Sequence, residues 1–212
     1  MFKPKAALAV LIPLVLAGCA REGDILPTGI IASYSACPPV AIPAGTGDLT
    51  LFNPPASRDA AAIDVVATIT NVRSTCDESG EYIVSNATFE VQAQRRDATG
   101  AREVVVPYFA TVVHGGTNVV SKRVSRVALN FADGSHSATA RGAATAQVLR
   151  SAATLPEDVR RQITRQRRPG DPDAAIDPLA DPTVRAAVQR ATFELLVGFN
   201  LTEEQLRYNA TR

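Results

Sequence analysis

The chain has 212 residues, 46% of them hydrophobic and 20% charged, with 22 Lys and Arg against 21 Asp and Glu. That composition fits one globular domain, or one domain with an appendage, and excludes a disordered or collagen-like chain. A near-neutral balance gives no basic field for nucleic acid, and two His with three Cys are too few for a multi-zinc protein or a dense disulfide scaffold.

Lys3 and Lys5 form a short positive start, followed by an apolar run over 6–17 that is broken only by Pro13. A spanning helix needs about 20 apolar residues, so this run is too short and reads as a secretory signal over 1–18. It ends in Leu16-Ala17-Gly18-Cys19. An aliphatic residue and two small ones before a Cys resemble the lipobox of bacterial lipoproteins. The resemblance covers only these first 20 residues or so. It implies a diacylglycerol thioether on Cys19, cleavage before Cys19 and acylation of the new amine. It also implies a membrane partner, since stable anchoring takes at least two hydrophobic signals and a mature lipoprotein carries three chains. Position 20 is Ala rather than Asp, which by the same resemblance points to the outer membrane of a Gram-negative cell, with the body facing the periplasm.

Residues 19–47 show little periodicity and are rich in Gly and Pro, which predicts a tether and entry segment. Between 48 and 150 the pattern turns to alternation. Strands are predicted over 48–52, 63–72, 82–94, 104–113, 119–131 and 136–148. His114-Gly115-Gly116-Thr117-Asn118 is a turn, and Asp133-Gly134 predicts a hairpin between the last two strands. Six or seven strands with such punctuation predict an antiparallel β-sandwich. No Trp is present, so the immunoglobulin Cys-Trp-Cys core pattern is missing. A fibronectin-III-like or other Greek-key order stays open.

The region 151–212 reads as a helical appendage. Thr154-Leu155-Pro156-Glu157 has capping-box form and predicts a helix over 156–167, with Val159 and Ile163 as a thin apolar stripe. Asp181-Pro182 predicts a second start. Val184, Ala187, Val188, Ala191, Leu195 and Phe199 then keep helical spacing over 182–198. Thr202-Glu203-Glu204-Gln205 opens a short final helix. The fold class is therefore mainly β with C-terminal α: a sandwich with two or three short helices packed on it.

Candidate chemistry is sparse. Cys37 and Cys76 remain once Cys19 is acylated. In an oxidising compartment they predict one structural disulfide, contributing about 3–4 kcal/mol by loop entropy, with free thiols or an intermolecular bond as alternatives. His114 and His136 flank turns, and no Gly-x-Ser-x-Gly elbow accompanies them. Asp171, Asp173, Asp177 and Asp181 lack the glycine and spacing of a calcium loop and suit helix caps and Arg pairing better. Arg160, Arg161, Arg165, Arg167 and Arg168 crowd a helix end, where the dipole favours cations. They and Phe193 are the candidate partner surface, although local pairing and burial explain them as well.

The expectation is a non-enzymatic, outer-membrane-anchored binding or scaffold module with an envelope protein partner and no cofactor, metal or nucleic acid. The alternative is a carrier of lipid or another apolar ligand. It would need a cavity between sheet and helices; the small-residue strand around Ala138, Ala140, Gly142 and Ala144 permits either close helix packing or such a cavity.

Overall fold

The computed structural model describes residues 34–165 and 170–211. The signal segment, Cys19, Arg167 and Arg168 lie outside the described residues. Among the described residues the chain forms strands β1 (Val40–Ala41), β2 (Asp48–Phe52), β3 (Ile63–Asp77), β4 (Tyr82–Arg95), β5 (Arg102–His114), β6 (Asn118–Phe131), β7 (Ser137–Leu149) and β8 (Phe193–Phe199). Helices α1 (Glu157–Thr164), α2 (Pro182–Ala191) and α3 (Glu203–Thr211) follow or interrupt them. None of these helices is long and apolar enough to cross a membrane.

The strands form a sandwich of two sheets, ordered β1-β8-β5-β6 and β2-β3-β4-β7. Every pairing is antiparallel except β1 on β8. The order differs from the immunoglobulin one, which puts the third, sixth and seventh strands in one sheet. Here the third and sixth long strands, β4 and β7, pair with each other while the seventh, β8, joins the opposite sheet.

Period-two alternation builds the core. On β4, Ile83, Ala87, Phe89, Val91 and Ala93 are buried while their neighbours face outward. The small residues of β7 answer the large ones of β4 rather than leaving space. Gly142 lies opposite Phe89 in register, and a Cβ there would collide with the Phe89 ring. Phe89 meets Tyr108 of the other sheet edge-on at 5.1 Å, and the Tyr108 hydroxyl donates to the Ala143 carbonyl at 2.8 Å. At Gly142 the space is thus filled by an aromatic ring.

Three local expectations need correction. The helix over 182–198 ends at Ala191, and Phe193–Phe199 is strand β8, inserted between β1 and β5. Asp133-Gly134 turns the chain but makes no hairpin, because β6 and β7 belong to different sheets. Gly134, at φ +73°, serves a crossover. The Thr154 capping box is not made: the Thr154 hydroxyl donates to the Arg150 carbonyl, and α1 starts after Pro156 without a side-chain cap. The other two starts behave as expected. Asp181 accepts from the Thr183 N–H, and Thr202 and Gln205 cap each other reciprocally.

Val159 and Ile163 of α1 pack with Val184, Ala187 and Ala191 of α2 in a second small core. Tyr34 locks this core to the sandwich, its hydroxyl shared between the carbonyls of Ala153 (2.7 Å) and Ala191 (2.9 Å). Burial, and then the nearby Glu78 charge, raise the pKa of that hydroxyl. The entry segment is therefore part of the body from Tyr34 onward.

Candidate docking site

An edge strand carries a row of backbone N–H and C=O groups without a neighbour, and proteins usually shorten, cover or charge such edges. The four outer strands differ on this point: β7, 13 residues long and paired only with β4 among the described residues, keeps alternate side chains in the core. β1 is two residues long. β2 is overlaid by α3, whose Asn209 amide donates to the Gly45 and Asp48 carbonyls at 2.8 Å. β6 has 14 residues and, among the described residues, no such cover.

β6 changes character along its length. Val127, Leu129 and Phe131 are buried in the core. Asn118–Arg126 are exposed at every position, on both faces. The register explains the change. The inward positions opposite Tyr108, Ala110 and Val112 are Ser125, Arg123 and Ser121 rather than aliphatics. β6 leaves the core there, while β5 stays buried through Val113 and paired with β8 to its end. The exposed part of β6 carries Val119, Val120 and Val124, each more than half exposed, together with Lys122, Arg123 and Arg126 and no carboxylate. Lys122 is the one lysine beyond the signal segment, and its ammonium stands 5.3 Å from the Phe109 ring centroid.

Where β6 and β7 part, a cleft of about 530 Å³ opens between them. Val112, Val120, Leu149, Phe193 and Leu195 supply its apolar wall, and Arg123 stands at it. The hairpin tip is latched at its base. The His114 ring stacks on Phe193 at 4.4 Å, His114 Nε2 donates to the Arg190 carbonyl at 2.6 Å, and the Gly115 N–H donates to the Thr192 carbonyl. The turn that leads into the exposed strand is thus anchored to α2 and β8.

The other sequence candidates are placed as follows. Cys37 and Cys76 form a disulfide, with Cα atoms 6.1 Å apart. Arg160 pairs with Glu157, and Arg165 with Asp173. Arg161 is exposed in the last turn of α1. Phe193 is 8% exposed, facing the core and the cleft wall, and offers a partner little surface by itself. Asp177 and Asp181 accept backbone N–H groups as caps. His136 Nδ1 faces the Arg95 carbonyl at 3.0 Å. One ring nitrogen of each histidine thus faces a main-chain carbonyl. The β6 edge escaped the sequence reading as a site because alternation marks a strand without saying which side lacks a neighbour. The run of Ser and Arg at inward positions was the available signal.

A second concavity, about 550 Å³, lies at the β2 edge under α3. Its charges are matched within it: Arg58 pairs with Glu204, and Arg102 grips Asp64 through two hydrogen bonds of 2.7–2.8 Å. The Arg102 guanidinium holds the Asp64 carboxyl below the usual carboxylate range. Phe52 and Tyr208 meet edge-on beside the pair. Of the two concavities, only the β6 cleft joins apolar surface to an uncovered strand edge and an unbalanced charge. No protein-family model, curated protein or solved structure matches the chain.

Proposed function

We propose that the protein is a non-enzymatic binding module of the bacterial envelope, tethered to the outer membrane through Cys19, which docks a protein partner on the β6 edge. The observation that supports this reading is the exposure of Asn118–Arg126 on both faces of an outer strand held out from the core. A partner strand added there gains main-chain hydrogen bonds along its length, while alternate side chains enter the cleft or lie on the outer face. Tethering supplies the second half of the mechanism. Confinement to the membrane surface raises the effective concentration of the module for a partner held in the same layer. The lipobox resemblance supports the anchor. The arginines of α1 play a smaller part in this reading than β6, since Arg160 and Arg165 are engaged locally.

In-cell photocrosslinking tests it. A photoreactive residue at Val120 or Val124 should give one reproducible protein adduct, and the same residue at exposed Thr75 of β3 should not. Equal labelling from both strands, or none from β6, overturns the docking reading. A Cys19→Ser chain should lose lipid label and leave the membrane fraction.

The cleft also favours a second reading, carriage of an apolar ligand. Its wall of Val112, Val120, Leu149, Phe193 and Leu195 could shelter an alkyl chain. A fluorescent fatty-acid analogue displaced from the chain by bulk at Val120, with no protein adduct from β6, would favour the carrier over the docking module.

A further inference from the structure

We infer that the β6 edge selects an extended acidic segment, with carboxylates on one face and apolar side chains on the other. The inference rests on the reading of β6 as a docking edge and names the chemistry of its partner.

Charge carries the argument. The exposed stretch of β6 holds Lys122, Arg123 and Arg126, and β6 has no acidic residue from end to end. Across the hairpin, their register partners on β5 are Thr111, Ala110 and Pro107, so no carboxylate faces them from the paired strand. The mature chain as a whole is near neutral, with 20 basic residues left against 21 acidic ones once Lys3 and Lys5 of the 22 are removed. Three cations within five positions of an uncovered edge are thus a local excess. A second copy of this chain pairing β6 on β6 would set these cations against each other, and like charges opposite one another destabilise a strand pair. A segment carrying acids gains where a copy of the chain loses.

Alternation fixes the pattern. Lys122, Val124 and Arg126 share one face of β6 by period two. Ser121, Arg123 and Ser125 share the other, the face towards the cleft. A strand laid along β6 would place one set of its side chains beside Lys122 and Arg126 and the other set over the apolar cleft. Glu or Asp suits the first set and Val, Ile or Leu the second. Arg123 stands at the cleft wall, where its stem can extend the apolar surface while its guanidinium meets the rim.

The test uses the purified full chain and two labelled nine-residue peptides, one alternating Glu and Val, the other Lys and Val, read by fluorescence anisotropy. The Glu-Val peptide should bind, more weakly as salt rises, and the Lys-Val peptide should not. Lys122 and Arg126 are exposed, so a Lys122→Glu/Arg126→Glu chain should keep its thermal midpoint. Its affinity for the Glu-Val peptide should fall about tenfold and its affinity for the Lys-Val peptide should rise. The photocrosslink from Val120 should vanish in the same charge-reversed chain. Equal binding of the two peptides, or failure of the Glu-Val peptide to bind, overturns the inference. So does a crosslink that survives charge reversal, although that result would leave the β6 docking reading standing. Absence of any β6 adduct in the unaltered chain removes the docking reading itself.

Discussion

Arg95 shows how one residue joins two sheets. It is the last residue of β4 and only 3% exposed, on the face that the rest of β4 fills with apolar side chains. A charge there is tolerated because its fork of donors is used. Nε donates to the Ser135 carbonyl at 2.8 Å, and Nη2 to the carbonyls of Ala98 (2.7 Å) and Ala132 (2.8 Å). These acceptors lie in two of the segments where the chain crosses between sheets, the one after β4 and the one after β6. The guanidinium also stands 5.2 Å from the Phe131 ring centroid. Arg95→Met keeps the bulk and removes three hydrogen bonds, although the Ala98 and Ala132 carbonyls keep the Gly134 and Ser135 N–H groups as donors. At about 0.5–1.5 kcal/mol for each hydrogen bond lost, a destabilisation of about 2–4 kcal/mol is expected as a lowered urea midpoint. Arg95→Lys should recover less than half of it, since an ammonium cannot reproduce the planar fork. Full rescue by Lys would mean that charge, not geometry, holds the crossovers.

Elements were legible in the sequence where local pattern and tertiary demand agree. The strands from 63, 82, 104, 119 and 136 appear within about five residues of their expected bounds, because each buries one face over at least part of its length, β6 only over Val127–Phe131, and alternation records that directly. Phe193–Phe199 failed because its residues satisfy two periods at once. Leu195 and Phe199 continue the helical series from Val184, while Phe193, Leu195, Val197 and Phe199 also alternate and are all buried. What decides between the two is the slot between β1 and β5, set by residues far away in sequence. The docking edge was hidden for the same reason, since strand order is a long-range property. Gly142 is a further case: composition marked a small-residue strand, and only the opposing Phe89 shows its use. Gly142→Ala puts a methyl where the ring lies and should destabilise by about 1–3 kcal/mol. Adding Phe89→Leu should make the alanine cheaper than it is alone, giving a coupling measurable in a double-mutant cycle. Strictly additive effects would separate the two residues.

The whole molecule has two unlike ends. At one, Arg95 gathers both crossovers and the sheets close. At the other, β6 leaves the core and the cleft opens, and here the disulfide, the entry segment and the packed helices are found. The Cys37–Cys76 bond ties the segment leading into β1, in one sheet, to the end of β3, in the other. Just beyond it, the Pro39 carbonyl accepts from the Leu195 N–H at 2.9 Å, and Val40 pairs with Leu195 itself, a residue of the cleft wall. A Cys37→Ser/Cys76→Ser chain should lose about 3–4 kcal/mol if the bond acts by restricting the unfolded chain. That restriction alone would speed exchange only of amides that open by global unfolding, and would not single out one end. The placement of the bond predicts more: with β1 only two residues long, the entry segment should detach locally. Native-state hydrogen exchange separates the two effects. The Leu195 amide should lose far more protection than the Arg95 amide, which donates to His136 at the closed end. Equal loss at both positions would reduce the disulfide to a constraint on the unfolded chain. Selective loss would show that it also maintains the β8 wall against which a docked strand would rest.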